Sequence, residues 1–440
     1  MKKERIRLFW FRRDLRLEDN VGFYHALNDS VPVLPLFIFD PQILNELPKN
    51  DARVHFIHQT LEEMSKGIQE ASQGDLSVFY GQPLDIFGQL LEQYEVEALY
   101  FNHDYEPYAN KRDQEVTDLL ESHGVVCRSF KDQVIFEKDE VVKKDGGTYV
   151  VYTPYKNRWL ELLNPSVHLL EYETTPLLKN IRAERNVPKQ RLKDMGFEQA
   201  SIPVPDYRLT RELMQQYEAK RNFPALSKAT SQLGPYLRFG QVSVRKIVRR
   251  ARAESNLTFL QELIWREFFM QILWHFPHTV TRSFKQAYDN IPWRNNEEDF
   301  ERWKSGNTGF PLIDAGMRQL NQTGFMHNRV RMLVASFLCK HLLIDWRWGE
   351  AYFAEKLLDY EQASNVGNWQ WSAGSGVDAA PYFRIFNPTT QIQKFDKEFG
   401  YIKQWVPEFQ ELTYPQPMVD HKAARERCLS VYKSALDASA

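Results

Sequence analysis

The chain has 440 residues, 43% hydrophobic and 26% charged, with 20 Gly and 22 Pro. At about three times a typical domain length this composition excludes a collagen-like or disordered chain and a disulfide-stapled miniprotein. Its 56 basic residues face 58 acidic ones, a net charge of −2, so a polyanionic partner must meet a local patch and not the molecule as a whole.

The first residues, MKKERIRLFWF, lead into a β-rich run and not a signal core, and no apolar stretch long enough to span a membrane follows. Cys127, Cys339 and Cys428 stand far apart with no metal-like spacing. A reduced cytoplasmic protein without a metal or a membrane span is expected. Short apolar runs at 6–11, 33–39, 76–80, 98–102 and 125–130 alternate with helical stretches such as 55–71 and 114–122, which predicts an α/β domain with a doubly wound parallel sheet over 1–135. No glycine-rich dinucleotide fingerprint follows the first run; Phe11-Arg12-Arg13-Asp14-Leu15-Arg16 stands in its place. Residues 136–206 carry the turn Lys143-Lys144-Asp145-Gly146-Gly147 and prolines at 154, 165, 176, 188, 203 and 205, and read as an interdomain connector. From 207 to 440 the patterns turn helical, at 211–220, 242–254, 259–276, 312–322, 328–343 and 348–358, so the second domain is expected to be all-helical.

Of the 11 tryptophans, eight lie between 265 and 371, which fits either a large aromatic core or a function that uses indole rings. Thr230-Ser231-Gln232-Leu233-Gly234-Pro235 precedes a helical stretch and suits an anion as well as it suits an ordinary cap and turn. Six basic residues (Arg238, Arg245, Lys246, Arg249, Arg250, Arg252) follow with no acid among them, a pattern of either a solvated helix face or a grip on a phosphate backbone. Glu262 and Trp265 share one helical face, as do Asn328 and Met332; an acceptor beside a flat apolar ring suits a nucleobase, and packing is the plain alternative for Trp265 and Met332. The polar run from Asp359 to Trp371 reads as a binding loop. Within it, Trp369 and Trp371 are two apart and cannot line one surface of a helix, so one can face a buried cofactor and the other a cleft. His327, His341 and His421 read as structural.

Together these segments resemble the cryptochrome and photolyase family, and within it the class I cyclobutane pyrimidine dimer (CPD) photolyases. The resemblance runs from Leu8-Phe9-Trp10-Phe11-Arg12-Arg13-Asp14-Leu15-Arg16 through Glu262-Leu263-Ile264-Trp265-Arg266-Glu267-Phe268. It is densest in Gly324-Phe325-Met326-His327-Asn328-Arg329, Trp369-Gln370-Trp371 and Asp378-Ala379-Ala380-Pro381-Tyr382-Phe383-Arg384-Ile385-Phe386-Asn387-Pro388. It implies an N-terminal α/β antenna domain, a connector, and a helical domain that holds FAD, active as FADH⁻. Tyr217, Thr230, Ser231 and Leu233 would hold its phosphates and ribityl chain; Arg331 and Asp359 would flank the ring with Glu361 nearby, and Asn365 would sit at N5. Trp265 and Trp371 would wall the dimer cavity, with Glu262 and Asn328 as polar contacts and Met332 beneath. Arg221 and Arg329 would meet DNA phosphates, and Trp369, Trp346 and Trp293 would carry electrons to oxidised flavin. The implied enzyme is a carbon–carbon lyase that repairs pyrimidine dimers in single- or double-stranded UV-damaged DNA, as a monomer with no obligatory protein partner.

Relatives that repair (6-4) photoproducts carry histidines at the positions of Asn328 and Met332, plant-type cryptochromes place Asp and animal-type ones Cys at Asn365, and both commonly lose Trp371; the first two positions therefore speak against (6-4) repair, and Asn365 with Trp371 favours dimer repair over a blue-light receptor. The family's usual Thr-Ser-Arg-Leu-Ser reads Thr230-Ser231-Gln232-Leu233-Gly234, without one guanidinium and one hydroxyl. Asp104-Tyr105-Glu106-Pro107-Tyr108-Ala109 lacks the Asn-Glu pair with which some relatives hold a folate, which leaves a folate, a deazaflavin, FMN or no antenna chromophore.

Overall fold

A computed structural model describes residues 2–438. Five strands, β1 (Arg5–Phe11), β2 (Val33–Phe39), β3 (Ser77–Tyr80), β4 (Glu95–Asn102) and β5 (Val126–Phe130), form one parallel sheet in the order β3-β2-β1-β4-β5. The helices Ala52–Ala71, Pro83–Gln93 and Pro107–Ser122 lie between successive strands, as parallel pairing requires. Because side chains alternate across a strand, β1 feeds two cores: Phe9 and Phe11 join Leu61 and Ile68, while Leu8 and Trp10 join Phe87 and Leu120. Burial of both faces explains why β2, VLPLFIF, is apolar throughout.

The chain divides into two units that interleave in sequence. One takes the chain up to Glu140, Leu162–Asp206 and Leu233–Ala253; the other takes Val141–Glu161, Tyr207–Gln232 and everything from Glu254. The segment 136–206 is thus shared between the units, and it contains the helix Tyr152–Leu162. That helix packs on Thr258–His275 through Trp159, whose Nε1 donates to Glu267 (2.6 Å), and through Tyr155 beside Phe268. The run read as a binding loop is mostly helix, Gln362–Ala373, because its Asn and Trp side chains find tertiary partners that outweigh their modest propensity.

The basic stripe is neither a solvated face nor a free phosphate grip for four of its six members. The helix Val244–Arg252 belongs to the strand unit, where Arg245 is buried against Asp19 and Asp132 (both 3.0 Å) and Asp132 also binds Arg16 (2.6 Å). Lys246 pairs with Glu18 and Glu171, Arg249 with Glu171, and Arg238 with Glu106. Acids far away in the chain neutralise what looks unopposed locally; Arg250 and Arg252 stay exposed. Among the described residues no helix is long and apolar enough to cross a membrane, and no group of three or more His, Cys, Asp or Glu could hold a metal ion.

Candidate active site

Three helices of the second unit, Asn328–Ser336, Trp346–Lys356 and Gln362–Ala373, surround a partly open cavity of about 560 Å³, counted with its solvent-open space. Asn328, Arg331, Met332 and Ala335 recur at helical spacing on one wall, and Asn365, Asn368, Trp369 and Ser372 on another; Asp359, Tyr360 and Glu361 contribute from the segment between helices. His327 caps the first helix, its Nδ1 accepting from the Arg329 N–H (3.2 Å). Burial, with Arg331 and Arg329 adding to it, pushes this imidazole down to about 4, so it stays neutral and keeps the acceptor the cap needs.

Two groups in the cavity are set for a ligand. Asp359 accepts from Arg331 Nη2 through Oδ2 (2.9 Å), while its Oδ1 is buried with no partner, an arrangement that calls for a donor such as a ring N–H. Asn365 donates its amide nitrogen to the side chain (2.9 Å) and carbonyl (3.1 Å) of Glu350, which leaves its amide oxygen as the atom available to a ligand. Glu350 is held above the usual carboxyl range by burial, against the hydrogen bonds from Asn365 and Tyr360. Arg266 ties Glu361 to the neighbouring helix (3.1 Å). These residues fit the polar edge of a flavin.

The structure brings Asn328 and Met332 into the same cavity as Arg331, Asp359, Glu361, Asn365 and Trp369. Glu262, Trp265 and Trp371 do not line it. Trp265 lies flat on Tyr152, ring centroids 3.5 Å apart, with Phe269 on a tilt of 26°. Glu262 is ion-paired to Arg221, so a base or phosphate that meets either must compete with that pair. Arg329 donates to Asn222 (2.6 Å) and covers Phe395. Trp369 faces the cavity and Trp371, two residues on, does not, as the helical offset requires. Tyr217 lies edge-on to Phe259. Thr230 and Ser231 are half-buried away from this cavity, the Ser231 carbonyl accepting from the Arg208 N–H (2.7 Å), and Leu233 opens a segment of the other unit. Gln232, where the family has Arg, takes a left-handed φ of 54°. Trp346 and Trp369 are buried in one aromatic core against which Trp293 packs, and the three make no ring contact with one another.

Sequence reasoning missed Glu350 and Tyr152. Glu350 meets Asn365 from another helix, a contact without a local signal. Tyr152 lies in a stretch of aromatic residues (Tyr149, Tyr152, Tyr155) inside the segment read as connector, and that clustering was its only trace.

Comparison with known proteins agrees with this geometry. Residues 259–413 match the family profile described as the FAD binding domain of DNA photolyase, and residues 7–176 that of DNA photolyase. The chain is 37% identical to a deoxyribodipyrimidine photo-lyase of Synechococcus sp., covering 97% of this chain and 96% of that one. Among solved structures it is similar to a bacterial class III photolyase from Agrobacterium tumefaciens, with a TM-score of 0.89 and 33% identity over 99% of both chains. It is also similar to an archaeal photolyase from Sulfolobus tokodaii with two FAD molecules, with a TM-score of 0.82 and 34% identity over 97% of this chain and 99% of that one. Similarity of this extent, over both units and the residues of the cavity, makes the chain a member of the DNA photolyase family.

Proposed function

We propose that this protein repairs cyclobutane pyrimidine dimers in DNA in a light-driven reaction that uses FAD in its reduced form, FADH⁻. The observation that carries this reading is one cavity whose walls combine Asp359 and Asn365, suited to a flavin ring, with Asn328 and Met332, suited to a dimer. Electron donor and acceptor are then neighbours with no intervening structure. Reduced FAD supplies an electron on absorbing near-UV or blue light.

Asp359, held by Arg331, orients the ring through its unmatched oxygen, and Asn365 offers its amide oxygen while Glu350 fixes the nitrogen. Asn328 hydrogen-bonds the pyrimidine edge, and Met332 gives it a soft apolar support. Trp265 and Trp371 wall the lesion, and Arg221 and Arg329 take phosphates, which together hold a pyrimidine pair turned out of the duplex, the strategy photolyases share with other base-processing enzymes. Ring opening by electron transfer needs neither a side-chain nucleophile nor an acid–base pair. Trp293, Trp346 and Trp369 relay electrons inward when the flavin is oxidised. The parallel-sheet unit, read from sequence as residues 1–135, houses the antenna chromophore where one is present, and residues 207–440 form the catalytic domain. The protein acts as a cytoplasmic monomer on DNA.

The test is illumination of the flavin-loaded, reduced protein with dimer-containing oligo(dT). Thymine absorbance recovers in the light and not in the dark. No recovery from a flavin-loaded preparation overturns the reading in favour of a blue-light receptor without repair activity.

A further inference from the structure

Lys340 is the only fully buried lysine among the described residues, 1% exposed, in the π-helical turn Phe337–His341. Its Nζ donates to the backbone carbonyl of Arg384 (3.0 Å), and no carboxylate pairs with it. Burial pushes this ammonium down to about 8; Arg384 adds to the lowering, and the Cys428 and Cys339 thiols oppose it. An ammonium removed from water without a carboxylate partner weakens the fold relative to an apolar side chain of the same length. Its usefulness therefore lies with the group it grips.

That group belongs to the irregular segment 378–387, which carries Phe383, 60% exposed, and Arg384, exposed with no ion pair among the described residues. Burial and then Arg221 and Arg384 hold the Arg329 guanidinium below its ordinary value, so the three arginines share one field, and of them only Arg221 has a carboxylate partner. At its other end the segment is tied through Asp378, whose Oδ2 accepts from the Tyr152 N–H (3.3 Å) under the Tyr152–Trp265 stack. A loop pinned at both ends thus presents an aromatic ring and an unpaired guanidinium beside the expected lesion wall.

We propose that Lys340 is a positioning residue for damaged-DNA binding: it holds the 378–387 loop from inside the core so that Arg384 meets a phosphate beside the lesion. This rests on the dimer-repair reading.

The test measures binding of dimer-containing oligo(dT) across a salt series by flavin-loaded wild type, Lys340→Met, Arg384→Gln and the double variant. Lys340→Met is expected to melt no lower than wild type and to keep its flavin spectrum. It is also expected to bind about tenfold more weakly, with a log K against log salt slope shallower by about 0.7, the loss of one phosphate contact on a single strand. The double variant should bind no worse than Arg384→Gln. Wild-type affinity in Lys340→Met, or effects that add in the double variant, overturns the proposal. Should Lys340→Met fail to fold, Lys340→Gln is measured in its place, and wild-type affinity there overturns it equally. A wild-type protein that binds no dimer DNA removes the repair reading itself, and the proposal with it.

Discussion

Trp265 rests against Tyr152 at stacking distance, and neither ring lines the cavity of Asp359 and Asn365, so its energetic role can be separated from cofactor binding. Trp265→Ala is expected to weaken binding of dimer-containing oligo(dT) about tenfold, the worth of one base–aromatic stack, with the visible flavin spectrum unchanged. Flavin lost from the purified variant would show the indole to be structural. Glu350 gives the opposite case, a residue outside the cavity lining that touches the site through Asn365 and Tyr360. Glu350→Leu leaves a part-buried amide nitrogen without its side-chain acceptor and is expected to cost about 1–3 kcal/mol in urea unfolding. Glu350→Gln keeps the acceptor and should unfold at least as late as wild type near pH 7, because burial disfavours the carboxylate it replaces. Its advantage should shrink as pH falls and disappear below 4.5, where the wild-type carboxyl is protonated in both states.

At the scale of elements, the cavity depends on how closely Trp346–Lys356 approaches Gln362–Ala373. Gly349 sets that approach: a Cβ there would stand 2.1 Å from the Trp369 ring and 2.6 Å from Leu338. Gly349→Ala must therefore push the indole toward the cavity it lines. A loss of about 1–3 kcal/mol from overpacking is expected, together with weakened flavin retention on gel filtration. Full flavin loading would mean that the helices part instead. The Val244–Arg252 helix is fixed in another way, by Arg245 between Asp19 and Asp132. Arg245→Met leaves two buried carboxylates short of a partner and should cost about 3–5 kcal/mol in urea unfolding, far more than the surface role its sequence context suggests.

For the molecule as a whole, a net charge of −2 leaves DNA, on the repair reading proposed above, to be met by a few unneutralised arginines, Arg329 and Arg384 foremost. The slope of log K against log salt for single-stranded dimer substrate should therefore stay near −2, and a slope beyond about −5 would require a larger basic surface. Acid should unfold the protein early. Burial holds His327 down to about 4 and His341 down to about 3, the latter with its Nε2 on His421 Nδ1 at 2.8 Å, whereas in the unfolded chain both titrate near 6.5. Between those values the unfolded state binds more protons, so the stability these groups provide is complete above pH 6.5 and lost as pH falls. Urea unfolding followed by tryptophan fluorescence should give a stability lower by roughly 2–3 kcal/mol at pH 5.5 than at pH 7.5. His341→Phe should remove about half of that difference.

The sequence alone determined the parallel sheet, the helical second half and the helix face that carries Asn328 with Met332, whereas the helix that carries Asn365 with Trp369 reads as a loop in the sequence and was decided by tertiary packing. Apolar period and residue offset are local properties, fixed within a few turns of chain. Only the tertiary structure decided which charges are spent: Arg245 on Asp132, 113 residues away, and Arg221 on Glu262, 41 residues away. It also decided that Asn328 and Met332 share the cavity of Asp359, that Glu350 holds Asn365, and that Tyr152 lies under Trp265. Each of these is a contact between distant segments whose energy depends on separation in space, and one sequence contains no measure of that separation until the chain is folded.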